Sequence, residues 1–123
     1  MTKRFGELLF QHRRTRTLLQ KQVALEAGID PSYLAGLENG RRSPPEKNTL
    51  QAIIKALALT PDESAELTIQ ATSEKAARYL QANHADMPGI DSLVQLALAL
   101  PSLSQREIST IDALIETLSQ RKH

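Results

Sequence analysis

Helix-start signals recur along the whole chain, and no stretch shows the strict apolar–polar alternation of a half-buried strand. Ser43-Pro-Pro-Glu46, Thr60-Pro-Asp-Glu63 and Ser104-Gln-Arg-Glu107 each place a Glu three residues after a Ser or Thr. That is the spacing of a capping box, in which side chains satisfy the free amides of a helix start. Asp30-Pro31 reads as an N-cap with proline at the first helical position, where a missing N–H costs nothing. These marks predict an all-α chain of seven or eight helices. The first runs from Phe5 to about Arg16, with Phe5, Leu8 and Leu9 inward. The second, Gln20 to Ala27, puts Val23, Ala24 and Ala27 on one face and ends at Gly28. The third, 31–38, turns Leu34 and Leu37 inward and closes at Asn39-Gly40. Further helices are expected near 46–58, 61–70 and 73–83, then from a cap at Asp91 to about Leu100, and finally to about Gln120. Pro101 stops the helix before it, and His84 to Ile90 reads as a linker.

Length and composition narrow the class. With 123 residues the chain suits one compact domain, or a small domain with an appendage. Aromatics are only 3%, so the core is built from Leu, Ile, Ala and Val. Cysteine is absent, which removes disulfide scaffolds, zinc fingers and thiol catalysis and fits a reducing compartment. The most apolar stretch, Leu93 to Leu100, falls far short of the roughly 20 residues a membrane helix needs. The opening Met-Thr-Lys-Arg-Phe-Gly-Glu has no apolar secretion core. A soluble cytoplasmic, nucleoid-associated protein without membrane contact is expected. His12, His84 and His123 are too separated for a metal site, and His12 and His123 read as solvated. No phosphate loop, Ser/His/Asp arrangement or carboxylate pair stands out, so no metal, no cofactor and no catalysis are expected.

The near-neutral total of +1 hides a division. Residues 1–59 hold ten Lys/Arg and five Asp/Glu, a net of +5, and residues 60–123 hold five and nine, a net of −4. A basic front points to a polyanion partner, unless the difference is ordinary variation in surface charge. The placement of the charges decides. Residues 20–40 form two short helices joined by a tight turn at Gly28, which is the spacing of a helix-turn-helix. Ala24 is small where the helices approach, and Leu34 and Leu37 anchor the second helix. That helix would carry its N-terminal part into a DNA major groove.

The run Gln20-Lys-Gln-Val-Ala-Leu-Glu-Ala-Gly-Ile-Asp-Pro-Ser-Tyr-Leu-Ala-Gly-Leu-Glu-Asn-Gly-Arg-Arg42 resembles the lambda-repressor/Cro-like helix-turn-helix of the xenobiotic-response-element type. The likeness extends from about Phe5 to Leu67 and takes in Arg13, Gln20, Ala24, Gly28, Leu37-Glu38-Asn39-Gly40, Pro45 and the Leu50…Leu57 spacing. It implies a five-helix DNA-binding domain over 1–70, followed by a helical C-terminal region over 71–123. Two positions depart from the family pattern. Leu19 stands where Ser or Thr usually caps the second helix, so Thr17 or water would serve there. Ala58 stands where Gly commonly follows the fourth helix.

The resemblance also implies roles. Arg13 and Glu38 match a structural ion pair, against the alternative of two unrelated solvated charges. Gln20, with Lys21 beside it, matches the phosphate-binding start of the second helix, where the helix N-terminus favours an anion. Asn39, Arg41 and Arg42 match positions that grip the DNA backbone, and Lys47 adds a further contact. Such contacts set affinity and orientation rather than sequence choice. The reading positions are Pro31, Ser32, Tyr33, Ala35 and Gly36, a set poor in bidentate polar arms. Readout therefore leans on DNA shape, with Arg14, Arg16, Arg41 or Arg42 available for phosphates or a narrow minor groove.

In the back half, Ile108, Ile111, Ile115 and Leu118 are spaced 3, 4 and 3, with Leu114 beside them. Together with Leu93, Leu96, Leu98 and Leu100 they make a homodimer interface, or else pack onto the front domain. Phe10, off the main apolar face of its helix, either docks this region or stands alone. The expected function is a dimeric transcriptional repressor that binds double-stranded DNA at a pseudo-palindromic operator. The alternative is an antitoxin whose acidic, Leu-rich back half binds a protein partner.

Overall fold

The computed structural model describes residues 3–120, all-helical with no strand among the described residues. The elements are α1 (Phe5–Thr15), α2 (Gln20–Ala27), α3 (Pro31–Glu38), α4 (Lys47–Leu57), α5 (Pro61–His84), α6 (Ile90–Ala99) and α7 (Gln105–Gln120), with a 3-10 turn at Leu100–Ser102.

The front helices close around one apolar cluster. Phe5 and Leu9 of α1, Val23 and Ala24 of α2, Leu34 and Leu37 of α3, Ile53 and Leu57 of α4, and Leu67 of α5 are essentially inaccessible. This burial fixes the tilt of α3, and one glycine fixes its distance from α1. A Cβ on Gly6 would lie 2.5 Å from the Leu37 carbonyl oxygen and 2.7 Å from that of Glu38. The two backbones therefore touch where α1 crosses the end of α3, and no larger residue fits there.

Three local expectations are corrected. The Ser43–Glu46 box does not form: α4 starts at Lys47, with Glu46 as an N-cap that makes no side-chain cap. Pro45 keeps the residue before it out of helical conformation, so the helix cannot begin inside the Pro-Pro step. Asp91 is not the cap of α6; Gly89, at φ +85°, holds that place and Asp91 lies in the first turn. The helices expected at 61–70 and 73–83 are one 24-residue helix, so position 70 falls inside α5. The inward face of α5 mixes Gln70, Ser73 and Glu74 with Leu67, Ala71 and Ala77, which masks its helical period in the sequence.

Those polar side chains have partners. The Ser73 hydroxyl donates to the Ala97 carbonyl of α6. Glu74 accepts from the backbone N–H of Phe5 at 2.6 Å and from the Gln70 amide at 2.7 Å. A carboxylate 69 positions away thus caps the start of α1, whose own N-cap Arg4 supplies no side-chain bond. A second small cluster, Ala77, Ile90, Val94 and Ala97, lies between α5 and α6. The Thr60–Glu63 and Ser104–Glu107 boxes both close in full.

Candidate nucleic-acid interface

The turn between α2 and α3 follows from its residues. Gly28 sits at φ +72°, and the next amide, Ile29, donates to the Ala24 carbonyl at 2.9 Å. This closes α2 with a left-handed residue that has no Cβ to clash. Asp30 then caps α3: Oδ1 accepts from the Ser32 backbone at 2.8 Å and from the Ser32 hydroxyl at 2.6 Å. Those two bonds, the hydroxyl's first, hold the Asp30 carboxyl below its usual range. The Ser32 proton is therefore committed to Asp30, and its oxygen remains as an acceptor on an exposed residue.

At its other end α3 closes through Asn39, whose side-chain oxygen accepts from the Arg41 amide at 3.0 Å and from Arg41 Nε at 3.3 Å. Gly40 follows at φ +83°, and the Arg42 amide returns to the Gly36 carbonyl at 3.0 Å. This return folds the Arg42 side chain over the helix. A Cβ on Gly36 would lie 2.7 Å from Arg42 Cγ, and the guanidinium carbon stands 5.9 Å from the centre of the Tyr33 ring. Gly36 is thus buried beneath Arg42, which removes it from the set of exposed reading positions. Its lack of a side chain makes room for an arginine stem. Pro31 and Ser32 are exposed, whereas Tyr33 and Ala35 are half-buried.

The start of α2 is tied to α1 and α3 through a buried network. Arg13 Nε and Nη2 donate to the two Glu38 oxygens at 2.7 and 2.9 Å, and Nη1 donates to the Leu18 carbonyl at 2.9 Å. The Gln20 amide joins them, donating to Glu38 Oε1 at 2.9 Å. Hydrogen bonding to Glu38, more than its charge, raises the Arg13 pKa above the ordinary value against the opposing effect of burial. Thr17 does not cap α2: its hydroxyl donates to the adjacent Arg16 carbonyl. Gln22 supplies half of a capping box instead, accepting from the Leu19 amide at 2.7 Å. A glutamine three residues into a helix was the legible sign of this bond.

Gln20, Ala35 and Asn39 line one groove of about 730 Å³ together with Phe10, Arg14 and Glu38. Phe10 is exposed at 42% and carries the Arg13 and Arg14 guanidiniums at 5.4 and 5.5 Å from its ring centre. It thus forms an aromatic shelf under two guanidiniums in the groove that Ala35 and Asn39 line. Lys21 and Lys47 are exposed in the first turns of α2 and α4, neither of which contains an acid there. Lys21, Arg41, Arg42 and Lys47 have no carboxylate partner among the described residues. Arg16 is different, because Glu63 holds it at 2.5 Å.

His12 departs from its expected solvation. It is buried at 8% exposure, with Nδ1 3.7 Å from a Glu63 oxygen and Nε2 unpartnered. His123 lies outside the described residues. No group of three or more metal-ligating side chains occurs among the described residues, and no described helix is long and apolar enough to cross a membrane.

Farther along, α7 buries no side chain. Leu114, Ile115 and Leu118 are exposed at 58, 53 and 46%, and Ile108 and Ile111 are half-buried.

A family model described as a helix-turn-helix domain matches residues 4–67. No curated protein and no solved structure matches the chain significantly.

Proposed function

The chain belongs to the helix-turn-helix domain family, whose match takes in 64 of its 123 residues, and from that premise we propose a sequence-specific transcriptional repressor of the lambda-repressor/Cro-like, xenobiotic-response-element type. Two copies read a pseudo-palindromic operator in the bacterial cytoplasm, each with α3 in a major groove. The supporting observation is the setting of α3. Its N-terminal face is exposed, and around it stand Lys21, Arg41, Arg42 and Lys47 without carboxylate partners among the described residues.

Two of those cations work against the protein alone. A lysine in the first turn of a helix opposes the positive end of the helix dipole. A phosphate oxygen at the same place would reverse the sign and also accept from the free amides of the turn. Gln20 and Lys21 would meet one stretch of backbone at the start of α2, and Lys47 another at the start of α4. Asn39, Arg41 and Arg42 would hold the edge beyond α3.

Direct reading is narrow. Ser32 offers only an acceptor, Tyr33 shares its ring with Arg42, and Ala35 offers a methyl group. None supplies the two-pronged bonding that separates guanine or adenine from the other bases. We assign much of the discrimination to DNA shape and deformability.

The proposed copy-to-copy contact is the α7 face of Ile108, Ile111, Leu114, Ile115 and Leu118, within the proposed dimerising region at 71–123, which α5, unbroken across position 70, joins to the DNA-binding part at 1–70. Selection of genomic DNA fragments by the purified protein at near-physiological salt tests the reading. An enriched pseudo-palindrome supports it. Binding that is only weak, unselective and steeply salt-dependent overturns it, and turns attention to a protein partner for the acidic back half.

A further inference from the structure

α7 opens on a complete capping box, Ser104 with Glu107, and runs 16 residues without burying a side chain. Among the described residues no other helix packs extensively along it. An isolated helix of this length is marginal in water, so α7 needs a partner for its apolar stripe. Resting on the dimer reading above, we propose that this partner is α7 of a second copy, packed antiparallel about a two-fold axis near residue 113.

The argument starts from the stripe. Spacings of 3, 4 and 3 put Ile108 and Ile115 at the first position of a heptad and Ile111 and Leu118 at the fourth. The flanks are then set: Glu107 and Leu114 lie along one edge of the seam, Asp112 and Ser119 along the other. Arg106, the only cation among the described residues of α7, points away from the seam.

A parallel pair brings each edge against the opposite edge of its neighbour, five residues on. Glu107 would face the partner's Asp112, and symmetry repeats the contact, giving two acidic pairs. Leu114 would face the partner's Ser119 and gain little burial.

An antiparallel pair brings each edge against itself. Ile108 packs over the partner's Leu118, and Ile111 over the partner's Ile115. Leu114, the most exposed large apolar residue of α7, meets the partner's Leu114 beside the axis. Glu107 is carried clear of the partner's Asp112, and a single acidic pair remains, Asp112 facing the partner's Asp112. Opposed helix dipoles favour the same orientation. The antiparallel arrangement therefore covers the whole apolar set and halves the like-charge contacts.

The chain contains no cysteine, so single introduced thiols report without background. Full-length Ile108→Cys and Leu118→Cys are prepared separately, checked for dimers by sedimentation, and oxidised mildly, alone and after refolding together. The expected result is a disulfide-linked band of doubled mass in the mixture and none in either variant alone. A linked band from Leu118→Cys alone means parallel helices; the orientation is then wrong while the dimer stands. Dimers that link in no sample place the interface elsewhere and overturn the proposal. A monomeric parent chain at micromolar concentration sinks the dimer reading itself.

Discussion

Arg13 and Glu38, 25 positions apart, meet through two parallel hydrogen bonds of 2.7 and 2.9 Å in a buried site between α1 and the end of α3. The same carboxylate holds Gln20, so one ion pair sets the relation of α1, α2 and α3. A buried pair adds little net stability, but losing one partner strands the other. Arg13→Leu leaves Glu38 with Gln20 alone and is expected to cost about 3–5 kcal/mol in urea unfolding. Arg13→Leu combined with Glu38→Leu should recover much of that loss. A double variant no more stable than Arg13→Leu would show that the pair itself, and not the stranded charge, carries the energy.

The parts of this arrangement that depend on near neighbours were readable in the sequence. Gly28 and Gly40 adopt the left-handed conformations that only glycine takes without strain, Asp30 caps across Pro31, and Leu34 and Leu37 face inward. What escaped depends on distant partners. The unbroken course of α5 relies on buried Gln70, Ser73 and Glu74, whose partners lie on α1, α5 and α6. Gly36 looked like an open reading position because the return of Arg42 over it depends on the turn at Gly40. The burial of His12 against α5 left no local trace either.

Glu74 is the clearest of these distant effects. It is buried at 5% exposure and, among the described residues, supplies the side-chain acceptor at the start of α1. Glu74→Ala removes that acceptor and leaves the Phe5 amide and the Gln70 amide unpaired. The expected loss is about 1–3 kcal/mol by urea denaturation. Glu74→Gln keeps a neutral acceptor and should lose less. Equal losses in the two variants would argue that the carboxylate charge matters more than the bond.

Ala58 closes α4 at φ +53°, a conformation where a Cβ crowds the following carbonyl by about 1–2 kcal/mol. Ala58→Gly relieves the crowding and gives back about 0.4–1 kcal/mol through the freer unfolded chain. A net gain of roughly 0.5–1 kcal/mol is expected, read as a higher urea midpoint with unchanged slope. A lower midpoint would show that the methyl group is well accommodated.

Acid should weaken the fold at named caps. The Thr60 amide, followed by Arg16, holds the Glu63 carboxyl below the usual glutamate range, and the Ser104 amide does the same for Glu107. In the window between the folded and unfolded pKa the unfolded chain binds more protons, so stability rises with pH there. The contribution is fully present at neutral pH, above the unfolded value, and is lost as pH falls through the folded one. Unfolding measured from neutral to acid pH should therefore show a decline beginning near the ordinary carboxylate range. Glu63→Gln should be less stable at neutral pH and show a shallower decline. A parallel curve at lower stability would mean that Glu63 acts without titrating.

The cations around α3 predict a separation between affinity and choice of sequence. Lys21, Arg41 and Lys47 are exposed, without carboxylate partners among the described residues, and aimed by this reading at phosphates. Neutralising a phosphate releases condensed counterions, so each such contact contributes about 0.9 to the slope of log affinity against log salt. Lys47→Ala should weaken operator and non-operator DNA alike and reduce the slope by about 1 per subunit. Arg42→Ala is expected to behave differently, because its stem covers Gly36 and its head group lies over Tyr33. Removing it frees the ring and uncovers the helix, which should alter relative affinities across a set of point-mutated operators as well as the slope. Steep losses confined to bases beneath Ser32 and Tyr33, with none at uncontacted steps, would refute readout through DNA shape. A Lys47→Ala protein with changed sequence preference and an unchanged salt slope would move that lysine from the backbone to a base edge.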